Sequence, residues 1–379
     1  MNHTTPHIVI LGAGFAALKA ARELRRQAPQ ASIRIVSPSL EFVYLPSLIW
    51  IPTGLRQGAD LCLPLQPFLD KHRLQHTQAS VTGLRDGGRI VQTEHGEIHN
   101  DALIIATGGR FIKQLPGIEH ALTLCEGISA AETIGQRLRQ MAGGRIAFGF
   151  GGNPQEPSAM RGGPMFELLF GVDTWLRQQG KRQSFELTFF NPAAQPGQRL
   201  GAKAVAGLLA EMQRRDIHTH LGHKLKSLSA NAVHTEGGQV PADLILFMPG
   251  LTGPQWAEAS GLARSAGGFF QADEYCRVVG SERVFVAGDA GSYPGPDWLP
   301  KQAHMAEIQA KAAADNLLRA LAGQPPHTRA DAELACIVDS GNKGMLVYRN
   351  AQRTLALPAS RLFHWAKRAF ERQYLRQLR

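Results

Sequence analysis

The sequence feature that most constrains the fold is the segment "IVILGAGFAALKAARELRRQAPQASIRIVS", residues 8–37. An apolar run ends at Gly12, an alanine-rich helical pattern follows, and a second apolar run ends the segment. Gly12 permits a tight turn, Gly14 lets the backbone approach a pyrophosphate, and Ala17 is a third small residue where helix and sheet pack closely. The order strand, turn, helix, strand predicts a Rossmann-type unit that binds a dinucleotide. An ordinary tight strand-to-helix turn is the alternative.

Polar residues stand at the ends of two predicted strands. Ser37 ends the run "IRIVS", where many dinucleotide-binding units carry an acidic residue for the adenosine ribose. A serine hydroxyl can hydrogen-bond the same sugar. Asp289 follows the apolar run "VFVA", and a carboxylate there can hold a sugar-like polyol. We therefore expect both side chains in a cofactor site.

A self-comparison indicates two related units. The stretch "VQTEHGEIHNDALIIATGG" at 91–109 resembles "VHTEGGQVPADLILFMPGL" at 233–251 without a gap. Each stretch follows a glycine-containing loop, "GAG" in the first case and "GFGG" in the second. This repeat predicts two nucleotide-type units rather than a solenoid. Coincidental hairpin chemistry is the alternative.

The second glycine loop departs from the expected spacing. It reads "RIAFGFGGNPQEPSAMRGGPMFE" at 145–167, and its glycines do not follow the order G-x-G-x-x-G. Pro154 and Pro157 should break the entry to the helix and remove backbone donors that a pyrophosphate needs. We expect that this loop has lost nicotinamide binding. Structural drift with retained binding is the alternative.

The tail "SRLFHWAKRAFERQYLRQLR" at 360–379 predicts a basic amphipathic helix, and it carries much of the formal net charge of +10. Its apolar residues recur at helical spacing, namely Leu362, Phe363, Ala366, Phe370, Tyr374 and Leu378. Such a helix can lie in an anionic membrane interface. Docking on the protein's own core or on a second copy is the alternative, so a homo-oligomer stays open. We find no nucleic-acid-binding module, and we expect no nucleic-acid partner.

The motifs "GAGFAA", "LIIATGG" and "VFVAGDA" together resemble the two-dinucleotide-domain flavoproteins. Within them, "SPSLEFVYLPSLIWIPTG", "PKQAHMAEIQAKAAADNL" and the basic tail are similar to sulfide:quinone oxidoreductases and flavocytochrome c sulfide dehydrogenases. The resemblance implies an α/β fold with two Rossmann-like domains, the FAD domain being interrupted by an NAD-like domain, and a C-terminal amphipathic helical segment. The implied boundaries are 1–110 and 241–322 for the FAD domain, 111–240 for the second domain and 323–379 for the C-terminal redox and membrane-interface segment.

The resemblance also implies which residues contact the cofactor, FAD. In addition to Ser37 at the ribose, the implied contacts are Gly12, Gly14 and Ala17 at the pyrophosphate, Thr107 and Gly108 beside the flavin, Gly288 and Asp289 at the ribityl and phosphate portion, and Lys301 in the same site.

The cysteines both support and depart from this resemblance. Relatives that oxidise sulfide have a cysteine just before a "GP" pair, whereas this chain has Met160 or Arg161 there. Cys336 matches the C-terminal redox cysteine of the family, and Cys125 matches an additional cysteine of some quinone-reducing members. If Arg161 lies beside Cys336, its charge should favour the thiolate. We expect the remaining cysteines to be small apolar side chains. The histidines near residue 220 are typical of a surface strand, and we predict no metal site.

The resemblance implies an FAD-dependent oxidoreductase that passes electrons from sulfide or another small sulfur donor to a quinone. Phe370 and Tyr374 are the positions that match aromatic residues beside the quinone. The N-terminus has no features of a secretory signal and no apolar run would span a bilayer, so we expect peripheral attachment on the cytoplasmic side of a membrane. One alternative is an NAD(P)H-dependent flavoprotein reductase, because Glu167 is similar to the downstream helix of NADH-using relatives. The other alternative is a low-turnover flavin-binding sulfur carrier or sensor.

Overall fold

The computed structural model describes residues 5–379, apart from the side chain of residue 125. Its α-helices are α1 (Phe15–Gln27), α2 (Gly58–Leu61), α3 (Gln66–Lys71), α4 (Ile128–Gln140), α5 (Gly163–Gln178), α6 (Ala202–Arg214), α7 (Ala303–Leu321) and α8 (Arg361–Leu378). Its strands are β1 (His7–Leu11), β2 (Ser32–Ser37), β3 (Glu41–Val43), β4 (Cys62–Pro64), β5 (Gln75–Gln78), β6 (Val81–Arg85), β7 (Ile90–Thr93), β8 (Gly96–His99), β9 (Ala102–Ile105), β10 (Arg110–Phe111), β11 (Ala121–Leu122), β12 (Gly144–Phe150), β13 (Phe185–Asn191), β14 (His218–Leu221), β15 (Leu225–Ser229), β16 (Ala232–Thr235), β17 (Gly238–Pro241), β18 (Leu244–Met248), β19 (Leu251–Thr252), β20 (Phe270–Gln271), β21 (Val284–Val286), β22 (Gly291–Ser292), β23 (Glu333–Asp339), β24 (Gly344–Asn350) and β25 (Thr354–Ser360).

The first large sheet is parallel and has the strand order β21-β9-β1-β2-β5. Its central strand β1 is buried on both faces, because successive side chains of a strand point to opposite sides. Ile8 and Ile10 pack in the cluster that includes α1 and α7, whereas Val9 and Leu11 pack against the antiparallel sheet β6-β7-β8. Helices and a small sheet therefore cover the two faces of this sheet.

The second large sheet is also parallel, with the order β11-β18-β12-β13-β14. The antiparallel sheet β15-β16-β17 covers one face, and α5 and α6 contribute to the cluster on the other. Because β18 pairs with β12, this sheet extends to Met248, whereas the predicted domain boundary falls at residue 240. The boundary consistent with this pairing lies after β18.

The two halves of the predicted repeat fold alike. In each half a tight antiparallel hairpin precedes a strand of a large parallel sheet, with Thr93 opposite Gly96 in the first and Thr235 opposite Gly238 in the second. The strand that follows is β9 in the first sheet and β18 in the second. The repeat is confirmed, and so is the predicted fold class of two Rossmann-like units followed by a C-terminal helix.

The C-terminal segment contains an antiparallel sheet, β23-β24-β25, which the sequence pattern did not predict. It is followed by α8, which confirms the predicted tail helix. Among the described residues, no helix combines the length and the hydropathy needed to cross a bilayer.

Candidate active site

The loop between β1 and α1 forms a cradle of three residues. Gly12 has a φ of +107°, and a Cβ added there would collide with the carbonyl oxygen of Ala106. A Cβ on Gly14 would meet no atom within 4 Å, and Ala17 is fully buried against the sheet. The N-terminus of α1 at Phe15 has no side-chain cap and no acidic residue in its first turn. Its free N–H groups and positive end are suited to a phosphate.

The other predicted contacts converge on the carboxyl ends of β9 and β21. Thr107 follows β9, and its hydroxyl is buried without a hydrogen-bond partner among the described residues. Gly108 and Gly288 have φ values of +73° and +74°, and the Gly288 N–H donates to the side chain of Gln309 at 3.0 Å. An orphaned buried hydroxyl is costly unless a ligand satisfies it. This arrangement therefore fits a bound dinucleotide.

Ser37 lies at the end of β2, as predicted for the ribose contact. Its hydroxyl donates to the Ser39 carbonyl at 2.7 Å, and the Nε2 atom of His76 lies 3.0 Å from the same oxygen. Since the serine proton is already used, the imidazole is the donor in this pair. Burial lowers the pKa of His76, so the ring is neutral at pH 7. His76 was not predicted from the sequence, because it comes from the neighbouring strand β5.

Asp289 and Lys301 are the charged residues among the predicted cofactor contacts. The Asp289 carboxylate forms an ion pair with the guanidinium of Arg161. The Lys301 ammonium donates to the Gly291 carbonyl at 2.7 Å and lies 4.0 Å from the ring centre of Phe269. Burial lowers the pKa of Lys301 to about 8, although the Asp289 charge opposes that shift. These two oppositely charged side chains lie where the resemblance to flavoproteins implies contact with the ribityl portion of FAD.

Cys336 lies in the middle of β23, opposite Val347. Although the residue is partly accessible, the protein around its sulfur desolvates it and raises the pKa of the thiol to about 12, and the charge of Glu167 acts in the same direction. Arg161 instead pairs with Asp289, so the condition for a stabilised thiolate is not met. The thiol is protonated at neutral pH. Cys125 cannot be placed beside it, since the Cys125 side chain lies outside the described residues.

A buried acid and base lie close to Cys336. The Lys367 ammonium of α8 donates to Glu167 of α5, and the Asp339 N–H of β23 donates to the same carboxylate oxygen at 2.8 Å. Burial raises the pKa of Glu167 to about 7, although Lys367 lowers it. Glu167 is therefore poised to exchange a proton at neutral pH.

Two further polar contacts fix the inner face of α8. His364 lies 2.7 Å from a carboxylate oxygen of Asp339, whose other oxygen accepts from the Trp50 indole at 3.0 Å. Arg56 pairs with Glu371 at 2.8 Å. The inner face of the helix thus carries His364 and Glu371 together with the buried apolar residues Tyr374, Leu375 and Leu378.

The outer face of α8 carries three exposed large apolar side chains beside exposed arginines. Leu362, Trp365 and Phe370 are 71%, 57% and 59% exposed, whereas Tyr374 is 8% exposed. The Tyr374 hydroxyl donates to Glu307 at 2.9 Å, and its ring packs against those of Phe15, Phe42 and Tyr44. The two aromatic residues predicted beside a quinone are neighbours one turn apart, with ring centres 6.3 Å from each other, but Phe370 is exposed and Tyr374 is buried. Their contact with a quinone stays a prediction.

The altered loop between β12 and α5 is packed into the protein. It spans 151–162, whereas the loop in the first unit has three residues. The Asn153 amide donates to the carbonyls of Leu251 at 3.0 Å and Gly267 at 3.2 Å, and the Leu251 N–H donates to Ala159 at 3.0 Å. Ala159 is fully buried. The loop therefore does not form a short glycine cradle like that of β1 and α1.

The family model described as pyridine nucleotide-disulphide oxidoreductase matches residues 6–310. The chain belongs to this family. Sulfide-quinone reductase of Aquifex aeolicus is 24% identical over 98% of this chain and 91% of its own length. The X-ray structure of the sulfide:quinone oxidoreductase from that bacterium matches with a TM-score of 0.88 at 22% identity, over 99% of this chain and 92% of the other. A type II NADH:quinone oxidoreductase of Staphylococcus aureus is 22% identical over 84% of this chain and 83% of its own length.

These matches confirm the predicted resemblance to sulfide:quinone oxidoreductases and the predicted cofactor. The protein is an FAD-dependent oxidoreductase. The glycine cradle and the uncapped start of α1 would hold the pyrophosphate, Ser37 the ribose and Asp289 the polyol. The orphaned hydroxyl of Thr107 would find its partner on the flavin side. The roles of these individual residues are predictions.

Asp289→Ala should weaken FAD binding by about 10- to 100-fold, because a charged hydrogen-bond acceptor is lost. The measurement is the ratio of flavin to protein after gel filtration, followed by titration of the apoprotein with FAD. Asp243→Ala is the matched control, since Asp243 also pairs with an arginine, Arg145, but lies in the second unit. Flavin retention at wild-type stoichiometry and affinity would contradict the assignment.

Proposed function

We propose that this FAD-dependent oxidoreductase takes electrons from sulfide or another small sulfur donor and transfers them to a quinone at a membrane surface. The observation that carries the proposal is the position of Cys336 beside the buried pair of Glu167 and Lys367. The similar proteins named as sulfide-quinone reductase and as mitochondrial sulfide:quinone oxidoreductase of Mus musculus support it. The latter is 25% identical over 76% of this chain and 66% of its own length.

The chemistry needs one thiol, one acceptor of electrons and one acceptor of protons. When the Cys336 thiol and hydrogen sulfide join as a persulfide, two protons and two electrons leave the sulfur atoms. FAD, when bound, would supply the acceptor for the two electrons and for one of the two protons. The Glu167 carboxylate, whose pKa is about 7 and which Lys367 holds in place by donating to it, can take the thiol proton and become a neutral carboxylic acid. Cys336 does not need to be a thiolate at rest, because its proton leaves during the step.

The altered loop argues against a nicotinamide donor. A pyrophosphate is held by free backbone N–H groups where a short loop meets a helix. Here the loop is long, and Asn153 and Ala159 tie it to β19 and neighbouring backbone. The type II NADH:quinone oxidoreductases among the similar proteins nevertheless favour an NADH-dependent reductase as the second candidate.

Anaerobic reduction of the flavin separates the two candidates. We expect sulfide to bleach the absorbance near 450 nm, and NADH to do so at least about 100-fold more slowly, because two or more charged hydrogen bonds to the pyrophosphate are lost. Stopped-flow mixing with each donor measures both rates. Rapid reduction by micromolar NADH would reverse the order of the candidates. Reduction by neither donor would favour a flavin-binding sulfur carrier or sensor.

The membrane contact is supported by the exposed apolar residues of α8. A helix with apolar residues outward and arginines at its sides is suited to the boundary between headgroups and acyl chains. Among the arginines, Arg361, Arg372 and Arg376 are exposed. We place this attachment on the cytoplasmic side, where anionic lipids attract basic segments. A homo-oligomer formed through the same face is the alternative.

A further inference from the structure

The guanidinium of Arg368 on α8 is oriented by an aromatic ring but has no polar partner in the described part of the chain. It lies over the ring of Trp365, one turn earlier on the helix, at 5.0 Å from the ring centre. No residue that the structure describes accepts a hydrogen bond from it, and its Nε atom is buried. A guanidinium that is partly removed from water is costly unless an anion binds it. The ring of Trp365 therefore orients donors that the protein itself does not use.

The charges around Arg368 leave an excess of positive charge. Arg56 donates from Nε and Nη2 to the same oxygen of Glu371, each at 2.8 Å. Arg372 follows Arg368 by one turn of the helix, so three guanidiniums surround one carboxylate. Burial lowers the pKa of the Arg368 guanidinium, Arg56 and Arg372 act in the same direction, and the carboxylates of Glu371 and Asp339 oppose the shift only in part. An additional negative charge at this cluster is therefore favourable.

Exposed apolar side chains border the same cluster. Trp365, over which Arg368 lies, is exposed, and so is Leu362, one turn before it on α8. At a membrane surface, tryptophan lies at the level of the headgroups, and apolar side chains of an interfacial helix reach the acyl chains. A ligand that fits this surface carries a negative group for the arginines and hydrocarbon for the apolar side chains.

We propose that Arg368 binds the phosphodiester group of an anionic phospholipid, whose acyl chains lie against Leu362 and Trp365. Arg56 and Arg372 supply the surrounding positive charge. The proposal rests on the membrane contact of the proposed function and adds the class of lipid and the residue that binds it. A diffuse attraction to anionic lipids depends on how many arginines the helix carries. A defined site depends instead on Arg368, because one guanidinium can donate two parallel hydrogen bonds to one phosphate.

The test compares Arg368→Gln with Arg376→Gln in the FAD-loaded enzyme. Each substitution removes one positive charge from α8, and Arg376 is exposed, so the pair separates position from charge. Affinity for vesicles of phosphatidylcholine and phosphatidylglycerol should fall about 10- to 100-fold in Arg368→Gln, because charged hydrogen bonds are lost. It should fall no more than about fivefold in Arg376→Gln, which loses only a surface attraction. Equal losses in the two variants would overturn the inference.

The lysine variant keeps the test decisive if the glutamine variant is unstable. FAD content and thermal unfolding are measured for each variant first. Arg368→Lys keeps the positive charge but lacks the planar set of donors, so its vesicle affinity should lie between those of wild type and Arg368→Gln. Wild-type affinity in a folded Arg368→Lys variant would show that charge alone is needed, and would overturn a site built on the guanidinium.

A soluble lipid tests the site without a membrane. Dihexanoyl phosphatidylglycerol, kept below its micelle concentration, should bind wild type in isothermal titration calorimetry, and Arg368→Gln should weaken this binding. Inorganic phosphate, which has no acyl chains, should bind at least about 10-fold more weakly. Absence of lipid binding by wild type, or equally tight binding of inorganic phosphate, overturns the inference. So does a dimer that ignores the lipid and that Arg368→Gln dissociates, because a second copy would then cover the face. If wild type binds the soluble lipid through Arg368 but does not bind vesicles, the site stands and the membrane contact of the proposed function fails.

Discussion

Cys336→Ser is expected to slow the reduction of the flavin by sulfide at least about 1,000-fold while FAD stays bound. A serine hydroxyl cannot form a persulfide, so the sulfur donor loses the covalent partner that the proposed function assigns to it. Cys336 is partly accessible on β23 and makes no described side-chain hydrogen bond, so the substitution should leave the sheet intact. The measurement is anaerobic stopped-flow bleaching by sulfide, with the FAD content determined on the same sample.

Two other cysteines serve as comparisons in that experiment. Cys62→Ser changes a partly accessible thiol on β4. Sulfide should reduce the flavin of this variant as fast as that of wild type. Cys125→Ser should impair the reaction less than Cys336→Ser, because Cys125 matches only the additional cysteine of some quinone-reducing members of the family. If Cys336→Ser reduces as fast as wild type, Cys336 is structural, and the sulfide chemistry should be withdrawn.

Replacing Leu362, Trp365 and Phe370 together with serine should weaken binding to anionic vesicles at least about 30-fold. Fully burying such a side chain contributes about 1.5–3 kcal/mol, and partial insertion of three of them still amounts to a few kcal/mol. Their exposure means that the substitution removes little from the folded core. Sedimentation with vesicles of phosphatidylcholine and phosphatidylglycerol measures the binding.

The same variant separates the two half-reactions. Sulfide should still bleach its flavin, whereas reduction of a long-chain quinone dissolved in the vesicles should be lost. Val279→Ser, which removes an exposed apolar side chain outside α8, should behave as wild type in both assays. Vesicle binding by the triple variant at wild-type strength would show that another surface carries the membrane contact.

The parts of the site that could be predicted from sequence are local. The cradle was recognised from consecutive residues, since an apolar run, the glycines and a helical pattern follow one another in the chain. The collision of a Gly12 Cβ with Ala106 is a tertiary contact that only the structure shows. The buried pair of Glu167 and Lys367 could not be predicted, because it joins residues 200 positions apart. The helical pattern of the tail indicated its apolar and basic positions. Only tertiary packing determines which of these side chains contact the rest of the protein. The inward His364 and Glu371 follow from partners on β23 and near Trp50.

The strand order of the first sheet bears on how the chain acquires its cofactor during synthesis. The edge strand β21 pairs Val284 with Leu103 of β9, although the whole second sheet lies between them in the chain. At ribosomal rates of about 5–20 residues per second, β21 is therefore synthesised roughly ten to forty seconds after β9. Asp289 emerges directly after β21, so the nascent chain can present the pyrophosphate cradle long before the polyol contact. Tight retention of FAD should accordingly be a late event, after the inserted unit has been translated.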